Sequence, residues 1–210
     1  MLALLHTSPV HVPVFDALRD LDHPALRLRH LVDERLLDRA RAEGPEAVTA
    51  EVRAAVAGAV ADGATAVLCT CSTIGAVAES VRVPVPVLRV DRPMAAAAVA
   101  AGPRVTVLAT VESTLAPTAA LIEEEARRAG RPVRLDVRLV PDAWDHFTAG
   151  DQDTAARLVA TAADALTDTD SIVLAQASMA PATRLTSTPV PVLASPRLGL
   201  TAAARLSTGD

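Results

Sequence analysis

The amino-acid sequence predicts an α/β protein built from two pseudosymmetric halves, each with its own parallel sheet. Two observations predict this fold class. Short apolar segments alternate with helical segments along all 210 residues, and this alternation is typical of parallel sheets covered by helices. In addition, the pentapeptide PVPVL occurs at residues 84–88 and again at residues 189–193. The offset is 105 residues (189 − 84), half of the chain, so we expect two related halves.

Eight short runs rich in Val, Ile or Leu predict the strands, because these residues favour a buried, pleated surface. The predicted strands are residues 1–6, 26–32, 65–70, 85–90, 104–110, 133–140, 171–175 and 190–194. The first run is apolar but has no basic segment in front of it, which predicts a buried strand rather than a signal peptide.

Helical patterns follow the strands, and several of them end at a glycine. The predicted helices are residues 13–20, 34–42, 46–62, 93–101, 114–129, 151–166 and 199–206. The glycines that mark helix ends are Gly44, Gly63, Gly102 and Gly130. We assign residues 1–95 together with 196–210 to the first half, and residues 96–195 to the second half.

The repeat also pairs individual residues of the two halves. At the offset of 105 residues Cys71 corresponds to Gln176, and at an offset of 103 (110 − 7) Thr7 of the opening strand corresponds to Thr110. Ligands of doubly wound folds bind at the carboxyl ends of the strands. We therefore expect a ligand cleft between the two halves.

Composition excludes several classes of function. The formal net charge is −5 and only 1% of the residues are aromatic, so the chain lacks the basic and stacking surfaces of a nucleic-acid-binding protein. All 20 basic residues are arginines, because the chain contains no Lys. A pyridoxal Schiff base, a P-loop and a kinase site all need a lysine amine and are excluded.

The sequence also predicts a cytoplasmic protein without a membrane span. Its longest apolar run, residues 93–101, is far shorter than the ~18 residues that cross a bilayer. The two cysteines, Cys69 and Cys71, are two residues apart on one predicted strand, an arrangement that suits free thiols rather than a disulfide. No cofactor is expected.

Hydroxyl-bearing and small residues cluster at four predicted strand ends. They are His6, Thr7 and Ser8; Cys71, Ser72 and Thr73; Thr110, Ser113 and Thr114; and Gln176, Ala177 and Ser178. Hydroxyls and main-chain N–H groups at helix N-termini satisfy the oxygens of a small carboxylate, which favours one shared anion site. The alternative is that each hydroxyl is an ordinary helix N-cap.

Two of these strand ends carry a family resemblance. Residues 67–73, VLCTCST, and residues 170–178, DSIVLAQAS, resemble the aspartate/glutamate racemase superfamily, which includes hydantoin racemases, maleate isomerases and arylmalonate decarboxylases. The resemblance implies two pseudosymmetric α/β halves and cofactor-independent proton transfer by a pair of cysteines, one from each half. Cys71 matches the first of these cysteines, and Gln176 stands where the second is expected.

This departure bears directly on the chemistry. Two-base racemisation needs a proton donor and a proton acceptor on opposite faces of a planar carbanion, and the neutral Gln side chain is neither. A single thiol could still protonate one face of an enolate or add to an activated double bond. Gln176 would then donate a hydrogen bond to developing negative charge.

Two functions therefore stay open. The first is a cofactor-independent isomerase or lyase that acts on a small carboxylate, with Cys71 as acid/base or nucleophile. The second is a non-catalytic or regulatory protein that binds a small carboxylate. The sequence is compatible with a homo-oligomer and does not identify the substrate.

Other polar residues have structural alternatives. Cys69 is predicted to be a small buried hydrophobic residue. Cys71 ends its strand at the start of a helix, whose N-terminus favours negative charge and therefore the thiolate. Cys69, Cys71 and His6 lack the fourth ligand of a structural zinc site, so no metal is expected. His6 is either a substrate contact or a satisfied core histidine, and the other histidines, at positions 11, 23, 30 and 146, read as surface or capping residues.

Charged and aromatic residues complete the predictions. Asp91, Arg92 and Arg197 follow strands, and we favour structural ion pairs for them over substrate binding. Trp144 and Phe147 are expected to cover the core from a loop or to wall the pocket. The charged run at residues 123–128 reads as a solvated helix face.

Overall fold

The computed structural model describes residues 1–208, and each predicted strand is present in it, shorter by one to three residues. The strands are β1 Leu2–His6, β2 Leu28–Val32, β3 Ala66–Cys69, β4 Val87–Arg89, β5 Arg104–Ala109, β6 Arg134–Leu139, β7 Ser171–Leu174 and β8 Val192–Ala194. All of their pairings are parallel. The predicted α/β class is thereby confirmed.

Helices alternate with these strands. The α-helices are α1 His11–Asp22, α2 Arg35–Glu43, α3 Thr49–Ala61, α4 Ser72–Glu79, α5 Arg92–Ala101, α6 Leu115–Ala129, α7 Ala143–Thr148, α8 Gln152–Asp164 and α9 Ser195–Thr208. Short 3-10 helices occur at Pro45–Val48, Glu112–Thr114 and Ala177–Arg184. Among the residues that the structure describes, no helix combines the length and the apolar character needed to cross a membrane.

The chain divides into two compact units, and each contains one four-stranded sheet. Unit 1 consists of Met1–Asp91 and Pro196–Asp210, and unit 2 consists of Arg92–Ser195. The strand order is β2-β1-β3-β4 in one sheet and β6-β5-β7-β8 in the other. The two orders are the same once each strand is advanced by four, as the internal repeat requires.

Each unit contains the helix that follows the last strand of the other unit's sheet. Helix α5 follows β4 of the first sheet but belongs to unit 2, and α9 follows β8 of the second sheet but belongs to unit 1. The chain passes from unit 1 to unit 2 after Asp91, where the continuous helix Arg92–Ala101 begins.

The core of each unit is built from small aliphatic side chains on both faces of its sheet. In unit 1 Leu2 and Leu4 pack on one face of β1, and Ala3 and Leu5 pack on the other. In unit 2 the buried cluster around Leu108 and the β7 residues is likewise aliphatic. Central strands buried on both faces explain why the strand segments read as continuous apolar runs rather than alternating ones.

Three helical predictions need correction. The single helix expected at residues 46–62 is a 3-10 turn, Pro45–Val48, followed by α3. Residues 143–148 form helix α7, not a loop, and the rings of Trp144 and Phe147 stack on it with centroids 5.5 Å apart. Helix α4 was predicted only as a helix that starts after Cys71, without bounds, because its small residues give only a weak helical signal.

Candidate functional site

The predicted site residues of unit 1 lie at the carboxyl edge of the first sheet. Strands β1 and β3 are neighbours, with Leu5 in register with Cys69, so the segment that follows β1 emerges beside the segment that follows β3. Thr7 is buried, whereas Ser8, Cys71, Ser72 and Thr73 are half-buried.

The two cysteines occupy different environments. Cys71 is half-buried and has the extended conformation of an N-cap residue at the start of α4. Cys69 is completely buried in β3, and its thiol donates to the main-chain carbonyl oxygen of Cys71 at 3.6 Å. Burial raises the pKa of the Cys69 thiol, which therefore stays protonated. Cys69 is the small buried hydrophobe that the sequence predicted.

His6 is held in a buried chain of hydrogen bonds. Its Nδ1 lies 2.8 Å from the hydroxyl of Thr70, and its Nε2 lies 2.8 Å from Nδ1 of His30. The Thr70 hydroxyl donates to the Leu5 carbonyl at 3.2 Å, so it accepts from Nδ1–H of His6. The Nε2 of His6 then accepts a hydrogen bond from His30, whose other nitrogen lies 3.3 Å from the carboxylate of Asp16.

Burial sets the protonation state of His6. Burial first, and then the neighbouring His30, lower the pKa of His6 to about 3, so the ring is neutral near pH 7. The side chain has no exposed surface, and both nitrogens have protein partners. This geometry favours the core-histidine alternative over a substrate contact. His30, predicted as a surface or capping residue, is instead the second member of this chain.

A buried ion pair supports the helix that follows Cys71. The guanidinium of Arg89 donates to both carboxylate oxygens of Asp91, at 2.7 and 2.8 Å, and also reaches the carbonyl oxygen of Ser72 at 3.5 Å. A Cβ on Gly75 would lie 3.0 Å from the Cβ of Arg89. The missing side chain at Gly75 therefore lets α4 approach the arginine closely.

The other two predicted charged residues also pair within a unit. Arg92 contacts the carboxylates of Glu124 and Glu125 in unit 2, and Arg197 makes two bonds, of 2.6 and 2.8 Å, to Asp22 in unit 1. The structural ion pairs that the sequence predicted are thereby confirmed. Sequence reasoning missed Arg89, although a charged residue in an apolar strand was a usable signal.

In unit 2 the side chain of Gln176 gathers the donors at the end of β5. Its Oε1 atom accepts from the main-chain N–H groups of Thr110 and Val111, at 2.7 and 3.2 Å. It also lies 3.0 Å from the Thr110 hydroxyl and 3.5 Å from the Thr114 hydroxyl. The Thr114 hydroxyl has only one proton, which goes to the Val111 carbonyl. We call the three remaining donors, the main-chain N–H groups of Thr110 and Val111 and the Thr110 hydroxyl, the oxygen cradle.

The oxygen cradle fixes the orientation of the amide. Only the oxygen of a carboxamide can accept from main-chain N–H groups, so Oε1 must face the cradle. The two N–H donors of Nε2 are then directed elsewhere. Three donors converging on one sp² oxygen also make a suitable partner for a carboxylate oxygen.

The remaining predicted residues of unit 2 are not all part of the cradle. Ser178 and Thr110 line a small cavity together with Phe147 of α7. Phe147 therefore forms part of a pocket wall, the second of the two roles predicted for it. Ala177 begins the 3-10 helix after Gln176, and Ser113 is exposed in the turn before α6. Within residues 1–208, no group of three His, Cys, Asp or Glu side chains is arranged to hold a metal ion.

The N-cap alternative does not account for these hydroxyls. The N-cap residues of α1, α4 and α6 are Val10, Cys71 and Thr114, and none of them makes a side-chain capping bond. The Thr114 hydroxyl instead donates to the Val111 carbonyl at 2.7 Å. These helix N-termini therefore keep main-chain donors that side chains do not satisfy.

Parallel sheets with small and hydroxyl residues at their carboxyl ends define a class of α/β protein that takes small ligands at that edge. The sequence model of the family described as Asp/Glu/Hydantoin racemase matches residues 12–203. The chain belongs to this family. Among curated proteins, no sequence matches the chain.

Solved structures share the fold at low sequence identity. The chain is similar to Picrophilus torridus aspartate racemase with a TM-score of 0.74 and 15% identity, covering 99% of this chain and 94% of that one. A sulfate-associated mutant of arylmalonate decarboxylase gives 0.69 and 20%, covering 99% and 93%. Glutamate racemase from Aquifex pyrophilus gives 0.63 and 12%, covering 96% and 81%.

Proposed function

We propose that this protein is a cofactor-independent isomerase or lyase of small carboxylates, in which the thiol of Cys71 acts as acid/base or nucleophile. The observation that carries the proposal is the oxygen cradle, whose three donors converge on the amide oxygen of Gln176. Membership of the racemase family favours an enzyme over the non-catalytic alternative. The family resemblance of the segment around Cys71 supports the thiol as the reacting group.

The role that we propose for Gln176 follows from its orientation. Because Oε1 is engaged by the cradle, the side chain offers N–H groups and no acidic proton. A fixed neutral amide stabilises an oxyanion or enolate as charge develops on it. Proton delivery is then left to Cys71, on one face of the reacting carbon.

The half-buried position of Cys71 suits this task, and that of Cys69 does not. A reactive thiol must reach its substrate and must lose its proton, whereas Cys69 is fully buried with a raised pKa. The hydroxyls of Ser72 and Thr73, together with the N-terminal N–H groups of α4, are proposed to bind a substrate carboxylate.

Incubation in deuterated water tests the proposal. Malonate-type and unsaturated diacids should acquire deuterium with one handedness, whereas aspartate, glutamate and hydantoins should not be racemised at useful rates. Cys71→Ala should abolish exchange, and Cys69→Ala, the matched control, should retain it. Rapid racemisation by the unaltered protein would show that another group supplies the second proton.

Binding measurements separate the alternatives further. Thr73→Ala should weaken carboxylate binding by about 1–3 kcal/mol, the cost of removing one donor from a desolvated site. A dicarboxylate that binds and protects Cys71 from alkylation, without any turnover, would instead identify a non-catalytic binding protein.

A further inference from the structure

Strand β6 leaves a bare edge on the sheet of unit 2. It is the outermost strand, with β5 as its only neighbour in the sheet formed by the described residues. Five of its six residues are exposed, including Val137 at 46% and Leu139 at 48%. A long exposed edge strand with apolar side chains is a template for pairing with another strand.

The main-chain groups of β6 divide cleanly between its two sides. The N–H groups of Arg134 and Val140 donate to the carbonyls of Pro103 and Ala109 in the direction of β5. Because main-chain groups alternate in direction along a strand, the N–H and C=O groups of the odd-numbered residues 135, 137 and 139 point to the open edge. A second strand that joins this edge can therefore form main-chain hydrogen bonds only with these residues.

The side chains of β6 also alternate. Leu135, Val137 and Leu139 lie on one face, and Arg134, Asp136 and Arg138 lie on the other. On the polar face Arg138 bonds to Asp136 of its own strand at 2.7 Å, and both side chains are about half exposed. The strand thus carries one apolar face and one face of alternating charge.

We propose that β6 pairs with β6 of a second copy of this chain, antiparallel and centred on Val137. In this register Val137 lies opposite its own counterpart, and Leu135 lies opposite Leu139 of the second copy. Both are hydrogen-bonded pairs that use the outward-pointing groups. On the other face Asp136 lies opposite Arg138 of the second copy, twice by symmetry.

Charge selects this register from those that the hydrogen bonds permit. Centring the pair on Asp136 would place two aspartates together and set Arg134 against Arg138. Centring it on Arg138 would place two arginines together. Directly opposed like charges destabilise a strand pair, whereas opposite charges at the close, non-hydrogen-bonded positions stabilise it.

Centring the pair on Leu135 would leave part of strand β6 without a partner in the second copy. Centring the pair on Leu135 still sets Arg134 against Asp136, but Leu139 then faces a residue that precedes β6. The register centred on Val137 keeps residues 135–139 of both copies within the ladder. It forms one continuous eight-stranded sheet from two four-stranded ones.

Sedimentation velocity on the full chain tests the interface. A single strand pair gives a small, reversible interface, so we expect dimers to form at roughly micromolar to hundred-micromolar concentrations. Asp136→Arg and Arg138→Asp should each raise the dissociation constant by at least about tenfold, since each sets like charges opposite each other. Arg134→Asp, outside the opposed pairs, is the matched control and should leave dimerisation unchanged.

Mixing the two variants provides a test that is specific to the register. A chain with Asp136→Arg presents two arginines, and a chain with Arg138→Asp presents two aspartates, so an equimolar mixture should form heterodimers while each variant alone remains monomeric. The double swap within one chain should restore the homodimer. A wild-type chain that is monomeric throughout, dimers that ignore the swaps, or a mixture that stays monomeric would overturn the proposal.

Discussion

In the proposed function, Gln176 sets the part that the second unit takes in the chemistry. Its amide oxygen occupies the oxygen cradle, where a carboxylate oxygen would find the same three donors. A thiol at this position is shorter and would leave those donors to a ligand. We therefore propose that Gln176, where the resemblance expects the second cysteine, removes one transferable proton from unit 2 and also occupies its anion-binding donors.

This reasoning predicts a gain of activity. Gln176→Cys supplies a second thiol at the position equivalent to Cys71 and vacates the oxygen cradle, so it should introduce racemisation of a small amino acid. General acid–base catalysis by one group contributes on the order of 10²–10⁴-fold. Polarimetry with D- and L-aspartate and glutamate measures the gain.

The matched control for this gain is Gln176→Ala. It vacates the cradle without adding a thiol, and should bind carboxylates without racemising them. Equal racemisation by the two variants would remove the second thiol from the explanation.

His6 is predicted to make the protein sensitive to acid. Its pKa is about 3 in the folded chain, against an ordinary value of 6.5, so below pH 6.5 only the unfolded chain binds this proton. The free energy of unfolding should therefore decrease by up to about 1.4 kcal/mol per pH unit between pH 6.5 and 5. Urea unfolding at a series of pH values measures this slope.

Comparison of His6→Asn with the wild type isolates the contribution of His6. The substitution should lower the slope by about one proton. An identical slope in the wild type and the His6 variant would contradict the assignment of a neutral buried ring.

At the scale of elements, helix α4 depends on a glycine. The Cβ of Gly75→Ala would lie 3.0 Å from the Cβ and 3.1 Å from the Nε of Arg89, and that arginine is itself held by Asp91. Overpacking of this kind destabilises by about 1–3 kcal/mol. Because α4 begins directly after Cys71, the alkylation rate of Cys71 should change as well.

Gly58→Ala is the matched control for Gly75→Ala. A Cβ at Gly58 meets nothing within 4 Å in helix α3, so this change should stabilise the protein by about 0.5–1 kcal/mol. Urea unfolding of the two variants and alkylation of Cys71 provide the measurements. Stabilisation by Gly75→Ala would show that α4 does not pack closely against Arg89.

The elements differ in how well the sequence reveals them. Strands buried on both faces, such as β1 and β5, stand out as apolar runs, and the repeat of PVPVL places the two sheets in one order. Helix α7 was not recognised and α4 was recognised only by its start after Cys71, because both helices are short and their tertiary contacts outweigh local propensity. Boundaries were missed by a few residues for the same reason.

The site is only partly visible in the sequence. Cys71, Gln176 and Thr110 could be singled out from strand ends and the repeat. The oxygen cradle could not be predicted, because two of its donors are main-chain N–H groups, which residue type does not reveal. The chain from Thr70 through His6 to His30 depends on strand pairings between distant segments, which local patterns do not specify.

At the scale of the whole molecule, the two units differ in chain continuity although they share a sheet order. Unit 2 is one continuous segment, Arg92–Ser195, and begins with α5, the helix that follows the first sheet. Unit 1 is interrupted, because α9 returns from the far end of the chain. Its buried residues Leu200 and Ala203 pack with Leu2 and Leu4 of β1.

This asymmetry predicts different behaviour for the two fragments. The fragment Arg92–Ser195 should fold on its own, because it keeps its sheet, its core cluster and the Arg92 contacts to α6. The fragment Met1–Asp91 should not, because without α9 the face of its central strand that packs on Leu200 and Ala203 is left with Phe15 of α1 as the only buried helix residue that covers it. Circular dichroism and amide dispersion in NMR spectra distinguish the two outcomes.

Restoring the missing helix completes the test. Joining α9 to the N-terminus or C-terminus of the fragment Met1–Asp91 through a flexible linker should recover a cooperative transition, because burying an aliphatic side chain contributes roughly 1.5–3 kcal/mol. In the same fusion Gly199→Ala should abolish that recovery, since its Cβ would lie 2.5 Å from the carbonyl oxygen of Val90. Cooperative folding of Met1–Asp91 alone would show that the closing helix is dispensable to unit 1.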